Sequence, residues 1–96
     1  MIDTLKHLDR DGAEVIAIAA LTFLAEDGPR LGHFLATSGI GPDALKTSAR
    51  TAETLASVLE FLLQDESMLL MFTSQARIAP EAVAPAHYIL ANAPAD

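Results

Sequence analysis

This chain contains an internal repeat, and the repeat limits the folds open to it. Residues 21–45 and residues 59–83 align without a gap at an offset of 38 positions. The identical positions are large apolar residues and residues that begin or end helices: Leu21/Leu59, Phe23/Phe61, Leu24/Leu62, Asp27/Asp65, Leu31/Leu69, Phe34/Phe72, Ile40/Ile78, Pro42/Pro80 and Ala44/Ala82. A duplicated structural unit is expected to keep such positions. We therefore predict two copies of a three-helix unit, residues 13–50 and 51–88, within a single domain spanning residues 1–96.

Capping residues divide each copy into helices. The first helix ends near Glu26 in one copy and near Gln64 in the other. Asp27 and Asp65 then occupy N-cap positions, where a carboxylate accepts hydrogen bonds from free backbone amides. Pro29 fits the first turn of the second helix, because no amide donor is needed there.

The ends of the second helices differ between the copies. They fall near residue 38 and residue 76, and Gly39 suits the left-handed position that ends a helix. Arg77 replaces this glycine in the second copy, so we predict a weaker or differently shaped stop. Pro42 and Pro80 then open a third helix, in which an acidic residue follows the proline and favours the positive end of the helix dipole.

The helix predicted over residues 51–64 is amphipathic. Its apolar face carries Leu55, Val58, Leu59 and Leu62, and its polar positions are Glu53, Ser57, Glu60 and Gln64. The counterpart over residues 13–26 is apolar nearly all round, which predicts a central helix. Its apolar run, residues 15–25, is shorter than the roughly 20 residues that cross a bilayer and indicates a buried core helix.

No segment shows the alternation of a β-strand. The predicted fold is therefore all-α, a compact bundle of about six short helices. We expect the two three-helix halves to share one core and to be related by an approximate twofold axis. Before the first copy, apolar positions within residues 2–8 predict a turn of helix, and residues 9–12 predict a solvated turn. A calcium loop there is excluded, since His7 and Ile18 would occupy ligand positions that require acidic residues.

The charge is strongly acidic, with 13 acidic and 6 basic residues and a net charge of −7. This sign opposes binding to nucleic acid or to an anionic membrane, because phosphate contacts need clustered lysine and arginine. The chain has no cysteine, which excludes thiolate metal sites and cysteine catalysis and fits a reducing compartment. The first residues lack the pattern of a signal peptide. We expect a cytoplasmic protein that does not bind membranes.

One corner invites a nucleic-acid interpretation. Residues 38–45 resemble the Gly-hydrophobic-Gly turn of a helix-hairpin-helix protein, and Gly39 and Gly41 would present backbone amides to a phosphate. Asp43, however, places a carboxylate where the phosphate would lie. The second copy has lost both glycines, so an ordinary helix-helix corner is the favoured interpretation.

The sequence offers no catalytic constellation. His7, His33 and His87 lack ligand-like spacing, and no nucleophile elbow, phosphate loop or Glu-x-x-His pair is present. We predict no catalytic residue, no metal site and no cofactor. An active site assembled from distant residues is the minority alternative.

Three apolar residues exceed what the repeat requires. Met68, Leu70 and Met71 correspond to Arg30, Gly32 and His33 of the first copy, so the shared core does not demand them. The favoured interpretation is that the last helix covers them. The alternative is a partner or homodimer surface, for which flexible methionines are well suited.

Four segments, residues 20–27, 30–35, 38–42 and 58–66, resemble a family of small, mostly alphaproteobacterial proteins grouped as domain of unknown function 3572. The resemblance covers about residues 13–83. It consists of packing and capping motifs, so it implies a small helical cytoplasmic protein and no catalytic residue.

The leading functional interpretation is a non-enzymatic protein–protein interaction or adaptor protein. The first alternative is nucleic-acid binding through the corner at residues 38–45. The second alternative is small-ligand binding between the two halves.

Overall fold

Six α-helices and one 3₁₀ helix occupy residues 8–94, the part of the chain that the computed structural model describes. They are α1 Arg10–Ala25, α2 Gly28–Ser38, α3 Pro42–Ser48, α4 Ala52–Leu63, α5 Glu66–Ala76, the 3₁₀ helix Pro80–Ala82 and α6 Val83–Ala91. Residues 8–94 contain no β-strand, so the predicted all-α fold is confirmed. His7 and the turn predicted over residues 2–8, apart from Leu8, lie outside the described residues.

The first helix begins earlier than the repeat suggested. Asp9 is its N-cap, and the Asp9 carboxylate accepts a hydrogen bond of 2.8 Å from the amide of Gly12. The solvated turn predicted at residues 9–12 is therefore wrong, since these residues form the N-cap and first turn of α1. The acidic residues satisfy free amides and favour the helix dipole there.

Helix boundaries recur at the repeat offset of 38 positions. Helices α1 and α4 end at Ala25 and Leu63, and α2 and α5 match at both ends. Asp27 accepts a hydrogen bond of 3.2 Å from the amide of Arg30, and Asp65 accepts one of 3.1 Å from the amide of Met68. The predicted caps are therefore confirmed. The approximate twofold relation and the single-domain organisation stay predictions.

The two helix stops share one backbone shape. Gly39 has φ 78° and Arg77 has φ 59°, and each donates its amide to the carbonyl four residues earlier. The expectation of a differently shaped stop at Arg77 is therefore wrong. The hydrogen bonds differ at the next residue. In the second copy the Ile78 amide donates to the Thr73 carbonyl, whereas in the first copy the Ile40 amide donates to Ser38 Oγ. Arg77 accepts a left-handed conformation that side chains disfavour.

The third helix of the second copy is broken near its start. Pro80–Ala82 forms a 3₁₀ helix, and α6 follows from Val83. Pro85 explains the break, because it has no amide to donate to the Glu81 carbonyl and its ring crowds that carbonyl. The prediction of one continuous third helix from Pro80 is corrected accordingly. In the first copy, α3 is a single short α-helix without a buried residue.

One hydrophobic core joins both copies. The buried apolar residues of residues 8–94 form one cluster, drawn from α1, α2, α4, α5, the 3₁₀ helix and α6. Phe34 and Phe72 are 0% and 1% exposed, which confirms the shared core. Helix α1 packs against α2, α4, α5 and α6, as expected of a central helix. It is not buried throughout, because Val15 is 67% exposed.

Aromatic contacts cross between the copies in a reciprocal way. Phe34 of the first copy meets Phe61 of the second edge-on, with ring centroids 5.5 Å apart. Phe72 of the second copy meets Phe23 of the first at the same 5.5 Å. Phe23 corresponds to Phe61 and Phe34 to Phe72, so one contact repeats with the copies exchanged. Reciprocal contacts of this kind characterise twofold interfaces.

Candidate functional site

Helix α5 carries the apolar residues that the sequence singled out. Leu70 is 46% exposed and Met71 is 54% exposed, whereas Met68 is partly buried against the core. The expectation that the last helix covers these residues is wrong for Leu70 and Met71. Helix α6 instead packs against α1 and α4, where it buries Val83, Ala86 and Leu90. We call the exposed pair Leu70 and Met71 the α5 patch.

Arg30 holds three helices together beside this patch. Its Nη1 atom donates a hydrogen bond of 2.7 Å to the carbonyl oxygen of Phe23, near the C-terminus of α1. Its guanidinium carbon lies 3.9 Å from the centroid of the Phe23 ring. Its Nη2 atom lies 3.8 Å from the sulfur of Met71. The guanidinium thus packs against Met71 of α5, and its positive charge offsets the partial negative charge of the carbonyls at the C-terminus of α1.

The corner at residues 38–45 lacks the features of a phosphate site. Gly39, Gly41 and Asp43 are exposed, and the amide of Ile40 is already bonded to Ser38 Oγ. Helix α3 has no side-chain cap, which leaves amides of its first turn free, but the Asp43 carboxylate in the same turn opposes an anion there. DNA binding would also need basic side chains around this corner, and Arg30 is instead engaged with Phe23 and Met71. The geometry therefore adds no support to the nucleic-acid alternative, which stays a prediction.

A cleft with a volume of about 590 Å³ lies between α4 and α6. Leu90 and Ala56 are buried at its floor, and Glu53, Ser57 and Glu60 project from the α4 wall. His87 of α6 stands opposite, with Nε2 3.8 Å from Glu60 Oε1. Within residues 8–94, neither lysine nor arginine lines this cleft. We call it the α4–α6 cleft.

Two smaller grooves lie between the copies and are equivalent under the repeat. Their volumes are about 250 Å³ and 280 Å³. The first is lined by Ala19, Thr22, Phe23, Glu26, Phe72, Gln75 and Ala76, and the second by Ser57, Glu60, Phe61, Gln64, Phe34, Thr37 and Ser38. Every lining residue of one groove corresponds to a lining residue of the other at the offset of 38 positions. Both grooves are smaller than the α4–α6 cleft, and their position between the copies makes them candidates for the predicted ligand site.

Within residues 8–94, neither His33 nor His87 belongs to a group placed to hold a metal ion. His33 lies on the surface with its ring 5.2 Å from the Phe61 ring, and His87 faces Glu60 across the α4–α6 cleft. Among residues 8–94, no group of three or more histidine, aspartate and glutamate side chains is placed to hold a metal ion.

A family comparison agrees with the fold. The profile described as "Protein of unknown function (DUF3572)" matches residues 10–93. The chain belongs to this family. No curated protein and no solved structure matches the chain. In this family member, none of the helices within residues 8–94 has the length and apolar character to cross a membrane. The bacterial origin implied by the resemblance stays a prediction.

Sequence reasoning missed two features of this DUF3572 protein. The contacts of Arg30 with Phe23 and Met71 depend on α5 passing beside α2, and no local sequence pattern predicts that packing. The α4–α6 cleft depends on where α6 docks. One signal was available, because Glu53, Ser57, Glu60 and Gln64 form a polar stripe on α4.

Proposed function

We propose that this DUF3572 protein is a non-enzymatic, cytoplasmic interaction protein that binds a positively charged helix of a partner through the α5 patch. The carrying observation is the exposure of Leu70 and Met71, at 46% and 54%. Their counterparts in the first copy are Gly32 and His33, so the shared core does not need large apolar side chains here. Exposed apolar surface of this kind is typical of interaction sites.

The chemistry of the patch favours a helical partner. Leu70 and Met71 are adjacent and point about 100° apart around α5, so together they form a broad apolar edge. The flexible methionine can adapt this edge to the apolar stripe of another helix. The net charge of −7 favours a cationic partner and opposes a second copy of the same chain. Glu66 and Asp65, exposed at the start of α5, supply negative charge on the patch's own helix. The positive charge of Arg30 beside Met71 is offset by Asp27, whose Oδ2 lies 3.8 Å from Arg30 Nε.

A peptide titration tests this proposal. The ligand is a designed amphipathic Leu/Lys helix of about four turns, and its control is a Leu/Glu helix of matched hydrophobicity. Amide chemical shifts of the ¹⁵N-labelled protein report the site of binding. We expect saturable shifts centred on residues 66–74 with the lysine peptide and none with the glutamate peptide.

Variants sharpen the same experiment. The double substitution L70S/M71S should weaken binding by about tenfold or more, which corresponds to about 1.4 kcal/mol. V15S removes another exposed apolar side chain, far from α5 along the chain, and should leave binding unchanged. Circular dichroism confirms that each variant is folded. Equal peptide binding by the unsubstituted protein, L70S/M71S and V15S would contradict the proposal. Concentration-dependent dimerisation that is abolished only in L70S/M71S would also contradict it, because the patch would then bind a second copy of the chain.

A further inference from the structure

The α4–α6 cleft has the properties of a ligand site that is separate from the α5 patch. Its volume of about 590 Å³ falls within the range of small-molecule pockets. Its floor is apolar, because Leu90 and Ala56 are buried there. The small side chains Ala52 and Ala91 line its walls and leave the space open.

The charges of the cleft are of one sign and are spaced along its length. Glu53 and Glu60 both line it from α4, seven residues apart on the same helix face. A rise of 1.5 Å per residue places their backbone positions about 10 Å apart along the helix axis. Between them lie Ala56 and Ser57, so the two carboxylates flank an apolar stretch.

Each carboxylate has room for a cationic ligand. Glu60 is the better anchored, since Gln64 Nε2 donates to it at 3.4 Å and His87 lies 3.8 Å away. The carboxylate of Glu53 is exposed and has no partner among the described hydrogen bonds and ion pairs of residues 8–94, whereas its backbone carbonyl accepts a hydrogen bond from Ser57 Oγ. The charged residues facing the cleft within this region are Glu53, Glu60 and His87.

We propose that the α4–α6 cleft binds a linear aliphatic dication, a chain with an amine or guanidine group at each end. One end pairs with Glu60, beside His87 Nε2 at the α6 wall of the cleft. The other end pairs with Glu53, and the methylene chain covers Ala56 and Leu90. Removing the chain from water and pairing both ends are the two sources of affinity.

The test is a titration of the whole chain with amines of different length and charge. Octane-1,8-diamine is the dication whose extended length is close to the axial separation of about 10 Å between the Glu53 and Glu60 backbones. Butane-1,4-diamine carries the same two charges on a shorter chain that covers less of the apolar floor, and octylamine has the same chain with one charge. Isothermal titration calorimetry gives the affinities, and amide shifts of ¹⁵N-labelled protein locate the site. We expect the longer diamine to bind at least about fivefold more tightly than either control.

Two isosteric variants and a control variant identify the charges. E53Q and E60Q should each reduce the affinity for octane-1,8-diamine to about that for octylamine, whereas E81Q, an exposed acidic position outside the cleft, should leave it unchanged. A91L, which fills the cleft from α6 without altering charge, should abolish binding.

Three results would overturn the proposal: equal affinity for all three amines, unchanged affinity in E53Q and E60Q, or amide shifts centred outside residues 53–60 and 87–91. The α5 patch variants separate the two sites. L70S/M71S should keep full diamine affinity, so failure of the partner proposal leaves this test intact, and the reverse also holds.

Discussion

Phe34 meets Phe61 edge-on at a centroid distance of 5.5 Å, and the contact joins α2 of the first copy to α4 of the second. The equivalent pair with the copies exchanged, Phe72 and Phe23, has the same separation. Each half therefore inserts its second helix against the first helix of the other. The phenylalanines of each half are thus buried in part against the other half, so we expect the two copies to stabilise each other.

Double-mutant cycles should detect this reciprocity. We expect F34L/F61L and F72L/F23L to show coupling energies of about 0.5–1.5 kcal/mol each, because leucine keeps apolar volume and loses the ring–ring geometry. Urea denaturation of the four single and two double variants gives the energies. Coupling in one pair and additivity in the other would show that the repeat in sequence is not a repeat in energetics.

Arg77 should be a position where glycine stabilises the protein. Its φ of 59° is left-handed, and this conformation costs a non-glycine residue about 1 kcal/mol. R77G should therefore raise the urea midpoint at an unchanged m-value. The matched substitution G39A, at φ 78°, should lower the midpoint by a similar amount. A lower midpoint for R77G would contradict the strain argument.

The two aspartate caps should contribute equally to stability. D27A and D65A each remove a hydrogen bond to an amide of the first helical turn, and each should cost about 1 kcal/mol. D27N and D65N keep a capping oxygen and should recover most of the loss. D43A serves as the control, since α3 has no side-chain cap bond. Losses no larger than that of D43A would remove the caps as determinants of the helix boundaries.

Arg30 should not tolerate lysine. The planar guanidinium donates to the Phe23 carbonyl while it lies over the Phe23 ring, and an ammonium cannot reproduce both contacts. R30K should destabilise the protein by about 1 kcal/mol in urea denaturation, because the side chain is only 19% exposed. R50K, at an exposed position, should be neutral. A neutral R30K would show that the helix junction does not depend on this arginine.

Local signals predicted the helix boundaries well for a physical reason. Caps, prolines and left-handed stops act within one turn of the chain, so Asp27, Asp65 and Gly39 could be interpreted without a tertiary structure. Pro85 carried an equally local signal, and the broken third helix could have been predicted from it. The N-cap at Asp9 was missed because α1 begins before residue 13, where the repeat begins.

The candidate sites were harder to predict, because exposure is a property of neighbours. The sequence identified Met68, Leu70 and Met71 as surplus apolar residues, and their helix alone could not say whether another helix would cover them. Leu70 and Met71 stay exposed because α6 packs against α1 and α4 and does not cover α5. The α4–α6 cleft likewise arises where two helices pack around alanines.

The sequence by itself determined an all-α fold, its main helix ends and an acidic net charge, since these follow from periodicity, capping chemistry and composition. Only the tertiary structure decided which phenylalanines meet, that Leu70 and Met71 stay exposed, and that Glu53, Glu60 and His87 share a cleft. The reason is that a helix presents several faces of similar hydrophobicity, and the packing of the whole chain selects which of them is buried.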